Sequence, residues 1–119
     1  MINRTKFRVW DLIEKRFKKP DEIVLNGNGD VFDKKSQENR NNEYVVQLFS
    51  GFVDRKNNEI YEGDIVKILN SNKEEEVIVS YRGCFCFHEK NAQEGSNYNY
   101  LYDLISNSNV EIVGHIFQQ

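Results

Sequence analysis

The sequence predicts a mainly β chain, a β-rich α+β fold in the form of a small SH3-like barrel or compact sandwich with one short helix. Short apolar stretches rich in Val, Ile, Phe and Tyr recur along the chain. Clusters of Gly, Asn, Asp and Ser separate them at short intervals. Only one segment has apolar residues at helical spacing. Many short strands broken by frequent turns belong to small all-β architectures.

Lys6-Phe7-Arg8-Val9-Trp10 alternates polar and apolar, which predicts a half-buried strand with Phe7 and Val9 inward and Trp10 on the other face, covering an edge. Asp11–Phe17 suits either a reverse turn into a second strand or one helical turn. Ile23-Val24-Leu25 and Val31-Phe32 flank Asn26-Gly27-Asn28-Gly29-Asp30, a hairpin composition. No Lys-Ser or Lys-Thr follows those glycines, so they do not read as a phosphate cradle. Residues 33–43 contain no apolar side chain and predict an exposed, mobile loop. Tyr44–Phe49 is a strand, and Ser50–Glu59 bends and turns. A tight bend at Tyr61-Glu62-Gly63-Asp64 leads into Ile65–Leu69. Residues 65–88 read as a three-stranded meander, with a turn at Glu74-Glu75-Glu76 and another at Arg82-Gly83. In Leu101-Tyr102-Asp103-Leu104-Ile105, positions 101, 104 and 105 share a helical face. Val110–Phe117 is the last strand.

At 119 residues the chain has the length of one domain, 1–119. Phe, Tyr and Trp make up 13%, enough bulk to fill a core from a modest apolar fraction. The net charge of −3 is unevenly spread. Residues 1–20 hold seven basic and two acidic residues, and residues 21–119 hold nine basic and seventeen acidic. A basic arm on an acidic body suits nucleic acid or a second subunit's acidic body. The plainer reading is that these strand and turn residues are simply solvated, since an overall acidic chain lacks the usual nucleic-acid footprint. No stretch has the length of a membrane span, and no apolar run follows the N-terminal charges as in a secretory leader. Cys84 and Cys86, two apart on one strand, point the same way. They are expected as free thiols of a reducing cytoplasm rather than a disulfide.

Three segments together resemble the YopX family of small phage and prophage proteins. They are Lys6–Asp11, then Gln47-Leu48-Phe49-Ser50-Gly51-Phe52-Val53-Asp54-Arg55-Lys56-Asn57-Asn58-Glu59-Ile60-Tyr61-Glu62-Gly63-Asp64-Ile65-Val66, then Val110–Phe117. The middle segment is the specific one. Ser50 stands where threonine is usual in the family, Asn58 where glycine is usual, and His115 where asparagine is common. The resemblance implies a phage or prophage origin in a bacterial cytoplasm and implies no activity. Gly51, Asp54, Glu62, Gly63 and Asp64 are expected to be the structural turn residues of this motif.

Candidate chemistry is sparse. Cys84, Cys86 and His88 alternate and would share one strand face, but a closed zinc site needs four ligands and the only other histidine is His115. Cys86 and His88 would lie about 7 Å apart along a strand, too far for a secure nucleophile–base pair. Glu62 and Asp64 flank a turn glycine and read as turn residues. Aromatics interleave with basic residues at Lys6–Trp10 and at Tyr81-Arg82-Gly83-Cys84-Phe85, as on single-strand stacking surfaces and on ordinary amphipathic strands. The expectation is therefore a non-catalytic accessory protein with no cofactor and no metal. It would act by binding a host or phage protein or by self-assembly, and the alternative is a nucleic-acid-binding module associated with phage replication. Arg4, Lys6, Arg8, Trp10 and Phe17 are the expected interaction surface, since aromatic residues beside Arg favour interfaces.

Overall fold

The computed structural model describes residues 6–69, 75–91 and 98–118. It is mainly β, with one short α-helix among the described residues. The chain divides into two compact units, Met1–Leu48 and Phe49–Gln119.

In the first unit, β1 (Phe7–Asp11) pairs antiparallel with β2 (Arg16–Lys18) on one side and with the start of β5 (Tyr44–Val53) on the other. The turn between β1 and β2 is held by Asp11, whose Oδ1 accepts the Ile13 and Glu14 N–H groups at 2.8 and 3.0 Å. A single 3-10 turn, Pro20–Glu22, leads into the hairpin of β3 (Ile23–Leu25) and β4 (Val31–Asp33). Asn26 Oδ1 organises that hairpin by accepting the Asn28 and Asp30 N–H groups. Val9, Ile23, Val31 and Tyr44 form the core of this unit, with Phe7, Leu25 and Val46 against it.

One strand expectation changes here. β1 is an inner strand with a partner on each side, and Val9 and Trp10 are both buried, at 1% and 2% exposure. Trp10 therefore does not cover an edge; its ring meets Phe17 edge-on, with centroids 4.8 Å apart. Residues 34–39 are exposed, yet the segment is stitched back onto itself: Asp33 Oδ1 accepts the Lys35 and Ser36 N–H groups, and the Arg40 N–H reaches the Val31 carbonyl.

In the second unit, the end of β5 folds onto β6 (Glu59–Tyr61) through a register shift between Phe49 and Val53. Gly51 lies there at φ +87°, a left-handed conformation that glycine takes without Cβ strain. β7 (Asp64–Ile68), β8 (Glu76–Tyr81) and β9 (Phe85–Glu89) form the expected antiparallel meander. β10 (Asn99–Tyr100) adds to β9, α1 (Leu101–Asn107) follows, and β11 (Val110–His115) pairs with β7. The sheet order is β10-β9-β8-β7-β11. Val66, Val77, Val79 and Val110 from its core face, with Ile60, Leu101 and Leu104, make a second core. A seven-residue helix is marginal alone, so the burial of Leu101 and Leu104 is what holds α1 in place. Ile60 and Ile65 are 0% and 3% exposed, and Ile68 packs at the margin of the core. No helix is long and apolar enough to cross a membrane among the described residues.

Candidate functional site

Two basic residues of the first unit, Arg16 and Lys18, form a network with its carboxylates. β2 carries Arg16 and Lys18 toward three carboxylates. Arg16 donates two hydrogen bonds to Glu22, Nη1–Oε1 at 3.0 Å and Nη2–Oε2 at 2.8 Å, and a third from Nε to Glu14 at 2.6 Å. Lys18 Nζ lies 3.6 Å from Asp11 Oδ2, 3.5 Å from Glu22 Oε2 and 3.8 Å from Glu14 Oε1. It also sits 5.3 Å from the centre of the Tyr44 ring. Burial alone would push the Lys18 ammonium down; Tyr44 and Glu22 beside it hold it above its ordinary value. The Arg16 hydrogen bonds, with the Lys19 N–H, take the Glu22 carboxyl well below the usual carboxylate range. Tyr44 donates its hydroxyl to Asp33 Oδ2 at 3.2 Å.

A hollow of about 470 Å³ beside this network is lined by Asp21, Glu22, Asp33, Lys34 and Lys35. Its inner carboxylates are already engaged, Glu22 by Arg16 and Asp33 by Tyr44 and two backbone N–H groups. The arrangement is therefore structural in character.

The residues singled out from the sequence are scattered. Arg4 lies outside the described residues. Lys6 is exposed. Arg8 donates from Nε to Gln47 Oε1 at 2.9 Å and lays its guanidinium 4.4 Å from the centre of the Phe17 ring. Phe17 is half-buried under Arg8, and Trp10, at 2% exposure, is not available as an exposed anchor. Of the seven basic residues in 1–20, Arg16 and Lys18 are answered within their own unit by Asp11, Glu14 and Glu22.

The turn motif lies in the second unit. Asp64 Oδ2 accepts the Tyr61 N–H at 2.8 Å, and Gly63 sits at φ +87° between the Val79 carbonyl and the Ile116 N–H. Glu62 is half-buried beside them. Asp54 Oδ1 accepts the Lys56 and Asn58 N–H groups, both at 2.9 Å.

Cys84 does not lie on the strand with Cys86 and His88. It is exposed in the β8–β9 turn, because β9 begins only at Phe85. Cys86 is buried, and its thiol meets the Ser80 hydroxyl at 3.3 Å. His88 packs edge-on against Tyr98, and its Nδ1 is buried without a hydrogen-bond partner. Burial, and then the nearby charge of Arg82, push the His88 imidazole down. No group of three metal-ligating side chains occurs among the described residues.

Sequence reasoning singled out Tyr81-Arg82-Gly83-Cys84-Phe85 but missed the exposed Tyr100 and Tyr102. Tyr81, Tyr100 and Tyr102 are 46%, 64% and 65% exposed. The register sets Tyr81 opposite Phe85 and Tyr100 opposite Cys86, so Tyr81 and Tyr100 stand on opposite faces of the sheet, and the Tyr102 ring packs near Phe52. Arg82 lies over the Tyr98 ring, 4.0 Å from its centre, and donates to its hydroxyl at 2.6 Å. The signal for this surface was the spacing Tyr98, Tyr100, Tyr102, which a two-residue strand running into a helix splits between faces.

The YopX protein family model matches residues 6–119. No curated protein matches the chain. Among solved structures, the protein EF1440 from Enterococcus faecalis is similar over 96% of this chain and 94% of its own, at 19% identity and a TM-score of 0.57. At that identity the likeness concerns the fold.

Proposed function

The chain belongs to the YopX family, and from that premise we propose that it is a phage or prophage accessory protein of the bacterial cytoplasm that catalyses no reaction and acts by binding another protein. The observation that supports this reading is Tyr100, 64% exposed, at the same end of the sheet as the Arg82–Tyr98 pair. Tyr and Arg are enriched in protein interfaces: Tyr offers a large flat contact with a polar end and few rotors to freeze, and Arg a planar guanidinium that stacks on rings. Tyr81 and Tyr102 meet Phe85 and Phe52, which pack against the core, so the reading is carried by Tyr100 and the Arg82–Tyr98 pair.

The test compares the native chain with a Tyr100→Ser variant by quantitative cross-linking and mass spectrometry in host cells. A defined interactor that is retained by the native chain and lost by the folded variant is the expected result. An identical interactor set for the two chains overturns it.

A second reading places single-stranded nucleic acid on the same surface. It is favoured by the planar Arg82 guanidinium stacked with Tyr98, since bases stack on such groups. Binding of oligonucleotides that falls steeply with salt and is lost in Arg82→Ala would replace the protein-binding reading.

A further inference from the structure

The turn of the β3–β4 hairpin holds two Asn-Gly pairs, Asn26-Gly27 and Asn28-Gly29, and all four residues are exposed. An asparagine before glycine is open to attack on its side-chain amide by the next backbone nitrogen, because glycine has no Cβ to shield that nitrogen. The fold holds the two pairs differently. At Asn28 the attacking nitrogen is engaged, since the Gly29 N–H donates to the Asn26 carbonyl at 3.0 Å. The Gly27 N–H donates to no group among the described residues. Asn26 Oδ1 accepts the Asn28 N–H at 3.0 Å and the Asp30 N–H at 2.9 Å. Those two donors sit on the oxygen that gains negative charge when a nucleophile adds to Cγ, the arrangement of an oxyanion hole. They stay in place during the addition, because the new bond forms at Cγ and not at Oδ1.

We propose that Asn26-Gly27 is a site of spontaneous covalent modification, and that the fold directs the reaction to Asn26 and away from Asn28. The Gly27 nitrogen gives its proton to hydroxide and bonds to Asn26 Cγ. The Cγ–Nδ2 bond breaks, Nδ2 takes a proton from water and ammonia leaves, which closes a succinimide ring. Water then opens either carbonyl of the ring and leaves aspartate or isoaspartate at position 26. Asn26 Nδ2 now donates to Asp30 Oδ2 at 3.4 Å, so the aspartate product sets one carboxylate against another. Isoaspartate adds a main-chain carbon inside the turn that the Asn26 N–H and the Asp30 carbonyl close. Either product loosens the hairpin that supplies Ile23 and Val31 to the core.

The test incubates the full chain at mildly alkaline pH, folded and in concentrated urea, and reads residues 26 and 28 by tandem mass spectrometry after digestion. In the folded chain Asn26 is expected to convert about tenfold or more faster than Asn28, and in urea the two are expected to convert at similar rates. Gly27→Ala places a Cβ beside the attacking nitrogen. Gly27 lies outside the left-handed region and that Cβ meets nothing within 4 Å, so the hairpin is kept. Conversion at position 26 is expected to fall about tenfold or more in this variant. Asn28 converting as fast as Asn26 in the folded chain overturns the proposal. So does a preference for Asn26 that persists in urea, since the local sequence and not the fold then chooses. Slower conversion of Asn26 in the folded chain than in urea also overturns it, because the turn then protects the amide. A Gly27→Ala rate equal to the native one does the same, because the amide is then lost to direct attack by water.

Discussion

Lys18 Nζ and Asp11 Oδ2 face each other at 3.6 Å with their side chains only 5% and 4% exposed. Such a pair holds together because each charge answers the other's desolvation, and removing one partner strands the other. Asp11 additionally fixes the β1–β2 turn, so this pair ties the turn to the second strand.

Lys18→Met keeps an unbranched apolar stem and deletes the charge. It is expected to destabilise the chain by about 3 kcal/mol, with part of that loss recovered in the Asp11→Asn, Lys18→Met double variant. Urea unfolding of the four chains measures it. A loss below about 1 kcal/mol, the level of an exposed pair, would show that water reaches Lys18.

Glu22 and Asp54 are two sources of the acid limb of stability, beside Asp33, held down first by the Ser36 N–H, and Glu111, held down first by Lys56. Glu22 is held down first by the Arg16 hydrogen bonds and then by the Lys19 N–H. At Asp54 burial pushes up, but the N–H bonds from Ile112, Asn58 and Lys56 prevail and hold it below its ordinary value. A carboxyl whose folded-state value is depressed adds stability above its unfolded value, about 4, and that stability is lost as pH falls further through the folded value. Stability is therefore expected to be level near pH 6 and to fall below about pH 4. Glu22→Gln and Asp54→Asn should each flatten that fall. An acid limb unchanged in both variants would assign it to other carboxylates.

What the sequence made legible was local. The β7–β9 meander showed in the alternation of Val77, Val79 and Tyr81 and in the glycine of the Arg82-Gly83 turn. Helix α1 showed in Leu101, Leu104 and Ile105. What it hid was long-range. Asp54 reads as a turn residue, yet one of its oxygens serves Ile112, 58 positions away. Trp10 reads as an outward residue of an alternating strand. The reading failed because β1 is flanked by β2 and β5, and an inner strand can bury both of its faces. Arg16 and Lys18 counted as free positive charge until folding brought Asp11, Glu14 and Glu22 around them. Cys84 was assigned to a strand because periodicity does not mark where a turn ends.

The Arg82–His88 relationship predicts a titration. Burial lowers His88 first and the charge of Arg82 lowers it further. An imidazole with a depressed folded value adds stability above its unfolded value, about 6.5, which is lost as pH falls through the folded value. Proton NMR should show the His88 ring titrating below 6.5 in the native chain. In Arg82→Ala the midpoint should rise, while remaining depressed by burial. A midpoint that does not move would mean that solvent screens the guanidinium from the ring.

Gly51 and Gly63 share φ +87°, which separates backbone strain from crowding. A Cβ on Gly51 meets nothing within 4 Å, so Gly51→Ala has only the left-handed backbone to oppose it, at a cost of about 1 kcal/mol. Asn tolerates that conformation better, so Gly51→Asn should cost less. Gly63 is buried between its bonds to the Val79 carbonyl and the Ile116 N–H. A side chain there must be housed as well as strained, and Gly63→Ala should cost more than Gly51→Ala. Thermal unfolding of the three variants gives the order Gly51→Asn, Gly51→Ala, Gly63→Ala from mildest to most severe. Equal losses at Gly51 for Ala and Asn would remove the conformational explanation and leave the bend in β5 without a reason for its glycine.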